Sequence, residues 1–192
     1  YGEKLMENKR GSIVAIEPRT GEILAIVSAP GYDPNLLSGR ERGPHFDSLL
    51  ADSGKLFYNR PIMALYPPGS IIKSMQALIA LQENIIRPNT TFYCPGGYYL
   101  SGLDVSCHRH RALRSLKEAI QFSCNTYFCH VFTHIVGAPK YGGVRQGLTR
   151  WLDYMKSFGL GSRLGIDLPN ETTGLLPSLE MYNRMYGPNW YS

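Results

Sequence analysis

The stretch YPPGSIIKSMQALIAL, Tyr66 to Leu81, sets a serine three residues ahead of a lysine where an apolar run begins. Pro67, Pro68 and Gly69 stiffen the approach to Ser70, and Gly69 leaves room for another backbone to come close. Residues i and i+3 share a helix face, with Cβ atoms about 5–6 Å apart. The spacing therefore predicts that Lys73 brings its amine to the Ser70 hydroxyl. A serine hydroxyl is a weak nucleophile until a base removes its proton. A lysine is that base only when neutral, and burial favours the neutral form. The helix expected over residues 71–83 is apolar nearly all round (Ile72, Met75, Leu78, Ile79, Leu81), the pattern of a helix at a domain centre. Its N-terminus favours an alkoxide and a developing oxyanion. Serine is also a preferred helix cap, so Ser70 has two meanings here, cap and nucleophile. S-x-x-K arises by chance about once in a couple of hundred residues. Here it occurs once, at the head of the buried helix.

A second motif lies 53 residues on, where Ser123, Cys124 and Asn125 separate two expected helices. Ser123 is placed to relay a proton and Asn125 to donate to a substrate carbonyl. The plain alternative is a polar turn between helices.

Around these motifs the chain reads as α+β, with an antiparallel sheet covered by helices. GSIVAIEPRTGEILAIVSAP, Gly11 to Pro30, predicts a β-hairpin with strands Ser12–Ile16 and Ile23–Val27. Both strands are nearly all apolar, so both faces are expected to be covered. Residues 31–60 read as a long loop, and residues 88–112 as irregular chain. Ser115 and Glu118 form a capping box that opens a helix running toward Phe122. A second helix is expected to end at Gly137. A third spans about Val144 to Phe158, with Leu148, Trp151, Leu152 and Met155 on its apolar face. The tail from Leu160 reads as Gly- and Pro-rich loop. Two strands make a marginal sheet, so further strands are expected from sequence beyond Ser192. The chain opens on Tyr1, as an excised piece of a longer protein does.

Composition narrows the function classes. The chain has 192 residues, 43% hydrophobic and 18% charged, which is globular and large enough for a real core. No run of 18 apolar residues suggests a membrane span. The net charge is +5, scattered except for HRHRALR, His108 to Arg114. There is no basic stripe or nucleic-acid motif, so nucleic acid is not an expected partner.

The two motifs, in this order, resemble the penicillin-binding transpeptidase and serine β-lactamase superfamily, whose signature is S-x-x-K, S-D-N and K-T-G. VAIEPRTGEILAIVSAPGYDPN, NRPIMALYPPGSIIK, FSCNTYF and FGLGSRLGIDLP resemble class B penicillin-binding proteins of the elongation type, the penicillin-binding protein 2 group. The resemblance covers nearly the whole chain. It implies the α/β sandwich of the β-lactamase and transpeptidase type, with residues 1–192 as the N-terminal and central part of the domain. It implies peptidoglycan D,D-transpeptidation through a serine acyl-enzyme, with no cofactor for the chemistry. Ser70 matches the nucleophile, Lys73 the general base, and Ser123 and Asn125 the pair of the second motif. The implied partners are a stem peptide ending in D-Ala-D-Ala, β-lactams, and an elongation-type glycan polymerase. The implied place is the periplasmic face of the inner membrane, held by an anchor that this chain does not show. A β-lactamase or β-lactam sensor of the same superfamily is the alternative. Ile71 and Ser74 stand where the family usually has Thr and Pro. No K-T-G or K-S-G occurs in these residues. The third motif also carries one oxyanion-hole donor, so these residues alone are expected to be inactive.

Cys94, Cys107, Cys124 and Cys129 fall within 36 residues, with His108 and His110 among them. Three arrangements stand open. Cys94, Cys107, His110 and Cys124 make a Cys₃His zinc set that would clip a loop without a core of its own. Of the two histidines, His108 adjoins Cys107 and would strain to share one metal. A Cys94–Cys107 disulfide suits an oxidising compartment. Four free thiols is the third arrangement. His45, His130 and His134 read as surface or packed histidines.

Overall fold

The hairpin anticipated from the β-branched run is present. In the computed structural model, which describes residues 1–100 and 102–191, β1 (Gly11–Ile16) pairs antiparallel with β2 (Ile23–Ala29). The register runs from Gly11 opposite Ala29 to Ile16 opposite Ile23, with an irregularity after Ala15. The chain divides into two compact units, residues 1–65 with 162–174 and residues 66–161 with 175–192. The elements are helical with two small antiparallel sheets, so the class is α+β as expected.

In the first unit, α1 (Gly2–Leu5) and α3 (Arg60–Met63) pack on the hairpin. The cover is incomplete. Val14, Ile16 and Leu24 are exposed, against the expectation that both faces are covered. Their apolar character is that of a doubly covered strand, but α1 and α3 are four residues each and leave these side chains in solvent. Arg60 is buried and holds the loop before α3, donating to the carbonyls of Gly54, Lys55 and Tyr58. Thr172 closes the unit, giving its N–H and hydroxyl to the Ile62 carbonyl at 3.0 and 3.1 Å. The expected loop over 31–60 contains α2 (Arg42–Ala51), a helix with no buried residue. Gly43 and Pro44 in its first turn, and an apolar face of only Phe46, Leu49 and Leu50, hide it from a periodicity search.

In the second unit, α4 (Ile72–Gln82) presents Lys73, Ala77, Ile79 and Ala80 to the core and leaves Leu78 exposed. It is therefore buried along one face rather than all round. The core is completed by α5 (Leu116–Gln121), α6 (Asn125–Val136) and α7 (Val144–Ser157). The helix ends anticipated at Gly137 and near Phe158 lie within a residue of those observed. Ser115 caps α5 by accepting from the Glu118 N–H at 3.2 Å. Glu118 does not complete a reciprocal box; its carboxylate takes the Arg114 N–H instead. Helices α6 and α7 approach so closely that a Cβ on Gly147 would fall 1.9 Å from the Val136 carbonyl oxygen. Two elements were not anticipated. A second hairpin joins β3 (Gly97–Leu100) to β4 (Leu103–Ser106), inside the stretch read as irregular. A last helix, α8 (Leu179–Tyr186), starts at Ser178, which accepts from the Met181 N–H. Pro169, Gly174 and Pro177 ahead of it mask that start.

Glu83, at the C-terminal end of α4, ties the helices together. It accepts from Lys140 at 2.6 Å, Arg150 at 2.9 Å and the Tyr154 hydroxyl at 2.6 Å. Burial raises its pKa, but the donors from Lys140, Tyr154 and Arg150 override that and hold it down at about 2. A depressed carboxyl stabilises the fold above its unfolded pKa and loses that contribution as pH falls toward the folded value. Glu83→Gln is expected to lower stability at pH 7 by about 1–2 kcal/mol, the cationic partners being half exposed and screened. The gap between wild type and variant is expected to shrink as pH falls from 4.5 to about 2 in urea titrations. An undiminished gap at low pH contradicts this account.

Candidate active site

Ser70 is not a helix cap. It sits in a 3₁₀ turn, Gly69–Ile71, that runs directly into α4, and its side chain caps no backbone group of that helix. The turn needs Gly69 in the left-handed region, at φ +59°, and the space over its absent Cβ is open. Ser70 is exposed. Lys73, one turn later, is only 7% exposed and reaches back to it, with Nζ 3.1 Å from Ser70 Oγ.

The second motif meets the same amine. Lys73 Nζ also donates to the Ser123 carbonyl at 2.7 Å, Ser123 Oγ at 2.8 Å and Asn125 Oδ1 at 2.6 Å. Ser123 Oγ lies 2.9 Å from Ser70 Oγ. Three side chains separated by 53 residues of sequence thus form one closed set of contacts. No carboxylate is among the four acceptors around Lys73. Burial lowers the Lys73 pKa, and the negative charge of Cys107, Cys124 and Cys129 thiolates pulls the other way. Burial prevails, so the neutral amine is more accessible than on an exposed lysine.

Local chain geometry explains why Ser123 can do this. Helix α5 ends with the Cys124 N–H bonded to the Ala119 carbonyl and the Ser123 N–H to the Ile120 carbonyl. That is a Schellman ending, whose left-handed residue is usually glycine. Here it is Ser123, at φ +47°. A non-glycine residue there costs on the order of 1–2 kcal/mol. The left-handed turn aims the Ser123 carbonyl and hydroxyl at one point. Asn125 begins α6, and its Nδ2 donates to the Ser106 carbonyl at 2.8 Å, the end of β4. The unanticipated hairpin therefore holds Asn125 so that its oxygen faces Lys73. Ser106 acts through its backbone, and nothing in its side-chain type signals that. Phe128, one helical turn into α6, lies under Lys73 with Nζ 5.9 Å from its ring centre.

Beside the site, the structure brings Cys94, Cys107, His110 and Cys124 together, with all ligating atoms within 4.8 Å of one another. Cys107 Sγ is 3.8 Å from Cys124 Sγ and 3.6 Å from His110 Nε2. A tetrahedral zinc with bonds of about 2.3 Å to sulfur and 2.0–2.1 Å to nitrogen has ligand–ligand edges of about 3.8 and 3.6 Å. His110 Nδ1 lies 2.7 Å from the Arg111 carbonyl, which leaves Nε2 free to face the thiols. The donor set fits zinc. His108 turns away to the Phe122 carbonyl, and Cys129 lies outside the set. Burial opposes ionisation of Cys107, but the N–H groups of Asn125 and Thr126 outweigh it and bring its pKa to about 6. Those are the first free donors of α6, so the sulfur sits at a helix N-terminus. Burial raises the pKa of Cys124, which is wholly enclosed. The sulfurs of Cys107 and Cys124 are close enough that these, rather than Cys94 and Cys107, are the pair in direct contact.

Among the described residues, no helix is long and apolar enough to cross a membrane. The penicillin binding protein transpeptidase domain family matches residues 11–187. The chain is 35% identical to the peptidoglycan D,D-transpeptidase MrdA of Acinetobacter baumannii, an alignment covering 96% of this chain and 26% of that protein. It therefore spans about a quarter of that relative. Among solved structures it is similar to Helicobacter pylori PBP2 in complex with MreC, at a TM-score of 0.80 and 28% identity, covering 99% of this chain and 34% of that one. It is also similar to the penicillin G acyl-enzyme of penicillin-binding protein A from M. tuberculosis, at a TM-score of 0.70 and 29% identity, covering 92% and 42%. With the motifs, the helix-capped sheets and the match over most of its length in agreement, this chain belongs to the penicillin binding protein transpeptidase domain family.

Proposed function

We propose that these residues are part of a serine D,D-transpeptidase that cross-links peptidoglycan stem peptides, with Ser70 as nucleophile and Lys73 as general base. One observation carries it: Ser70 Oγ, Lys73 Nζ and Ser123 Oγ touch one another at 2.8–3.1 Å around a buried lysine. The name of the relative MrdA and the penicillin G acyl-enzyme of the M. tuberculosis protein support the same chemistry.

Ser70 Oγ attacks the carbonyl of the penultimate D-Ala, and its proton passes to Lys73 directly or by way of Ser123. The peptide C–N bond breaks as the departing D-Ala amine takes that proton. The amine of a second stem then attacks the Ser70 ester, its C–O bond breaks, and Ser70 regains a proton. Asn125 keeps one N–H beyond its bond to Ser106 and offers it to the donor peptide. A β-lactam follows the first half and stops at the ester. A β-lactamase would need a group to activate a deacylating water, and no carboxylate contacts Ser70 or Lys73 among the described residues. The second oxyanion donor belongs to a K-[ST]-G segment outside these residues. The whole protein is taken to be membrane-anchored on the periplasmic face. Its partners are an elongation-type glycan polymerase and, by the H. pylori complex, a scaffold of the MreC kind. A zinc ion held by Cys94, Cys107, His110 and Cys124 would fasten the 94–110 loop and take no part in the reaction.

In the full-length protein, fluorescent-penicillin acylation is expected to rise with pH through a midpoint below 10.5, because the base form of Lys73 gains as pH passes its lowered pKa. Lys73→Arg, which stays protonated, is expected to slow acylation by at least about 10²-fold and to remove that pH dependence. An arginine variant with wild-type rate and profile excludes Lys73 as the base. The isolated 192 residues are expected to acylate about 10²–10³-fold more slowly than the full-length protein, for want of one oxyanion donor. Protein purified without chelator is expected to carry one zinc, and Cys94→Ser to lose it and melt more than about 5 °C lower. Metal-free protein with an unchanged melting curve excludes the zinc clip.

A further inference from the structure

The thiol cluster and the lysine site are joined through one three-residue segment. Cys124 lies between Ser123 and Asn125, which supply three of the four acceptors around Lys73. Its sulfur is 3.8 Å from that of Cys107. Cys107 in turn follows Ser106, whose carbonyl holds Asn125. The two cysteines thus touch where the end of β4 meets the start of α6. A disulfide bond is about 2.05 Å long, so the pair must close by about 1.7 Å to form one. Cys107 is partly exposed and Cys124 is enclosed, so an oxidant meets Cys107 first and Cys124 is the resolving partner. Cys94 is turned to the Thr126 hydroxyl at 3.2 Å, and Cys129 stands outside the group.

We propose that Cys107 and Cys124 are a reversible oxidation site, forming a disulfide in place of their metal contacts, and that closing this bond switches off acylation at Ser70. With hydrogen peroxide as oxidant, the Cys107 sulfur attacks one oxygen. An S–O bond forms, the O–O bond breaks, and water and a sulfenic acid result. The Cys124 sulfur then attacks the sulfenic sulfur. The S–S bond forms, the S–O bond breaks, and a second water leaves. Two thiols lose two electrons and two protons, and one peroxide becomes two waters. A dithiol reductant reverses the bond by thiol–disulfide exchange.

The switch acts by position. Drawing Cys124 toward β4 moves its neighbours Ser123 and Asn125, whose contacts with Lys73 are all 2.6–2.8 Å long. Displacement of a reacting group by about 1 Å costs on the order of 10²-fold in rate. The helix start moves as well, because Cys124 Sγ accepts the Tyr127 N–H at 3.3 Å.

The inference rests on the catalytic reading of Ser70 and Lys73, and on the zinc reading only for metal release. The test takes the full-length protein, measures its zinc, and treats it with hydrogen peroxide. Linked peptides are mapped by mass spectrometry, freed zinc is read with a colorimetric chelator, and Ser70 acylation is followed with fluorescent penicillin. The expected result is a Cys107–Cys124 linkage, release of the bound zinc, and acylation slowed on the order of 10–100-fold. Dithiothreitol with added zinc is expected to restore it, and Cys129→Ser to behave as wild type throughout. A linkage between other cysteines, sulfinic acid without a linkage, or full acylation by the linked protein overturns the switch. Reduced protein that does not react at all overturns the catalytic reading and the switch with it. Protein that carries no zinc but forms the linkage and slows overturns the zinc reading alone.

Discussion

A single amine organises the second unit of this chain. Lys73 Nζ has acceptors from the head of α4, the end of α5 and the start of α6, at 2.6–3.1 Å. It is buried, and a buried ammonium without a carboxylate has only dipoles to replace its hydration. Four oxygens supply them. Two effects oppose each other at this amine: burial favours the neutral form and prevails, while negative charge on the neighbouring thiols favours the ammonium. The general base proposed at this position needs a neutral form within reach. A carboxylate in contact would hold the proton permanently, and its absence from this cradle separates Lys73 from a structural ion pair.

The cradle also explains the one costly backbone choice nearby. A Schellman ending with glycine would relax Ser123 but would leave Lys73 and Ser70 without a hydroxyl between them. Serine there accepts left-handed strain so that one residue can present both its carbonyl and its side chain to the amine. The same ending at the other side of the core uses Asn84, at φ +53°, where no side chain is needed by the site. Strain of this kind persists only where the surroundings fix it. The Ala119 and Ile120 carbonyls and the enclosed Cys124 do so here.

The sequence displays what depends on spacing and hides what depends on backbone. Ser70 and Lys73 are legible because three residues of separation mean the same thing on any helix face. Ser123 and Asn125 are legible as a polar break between two apolar helices. The link between the pairs, through one amine, is a tertiary fact with no local trace. The β3–β4 hairpin went unread because Gly96, Gly97 and Gly102 and exposed Tyr99, Leu100 and Leu103 show no alternation of buried and exposed positions. That hairpin carries the Ser106 carbonyl and Cys107, so the support of the site was hidden along with it. Helix α2 buries nothing, and periodicity reports only burial. Conversely, the apolar β1–β2 strands suggested more cover than α1 and α3 provide, because composition records what a strand can bury and not what lies against it.

Position 124 shows most directly that the site is compound. It is the N-cap of α6, and the preferred caps are Ser, Thr, Asp and Asn, whose oxygens accept strongly. Cysteine is a weak acceptor. On capping alone, Ser or Asp would hold α6 better. The cysteine is instead enclosed in the core, where a sulfur suits the apolar surroundings better than a hydroxyl or carboxylate, and it touches the Cys107 thiol of the Cys94, Cys107 and His110 set. The residue between Ser123 and Asn125 thus has contacts of its own, apart from those its neighbours make with Lys73. What fixes Cys124 fixes the two residues that surround Lys73, so the thiol cluster and the serine site are held by one three-residue segment.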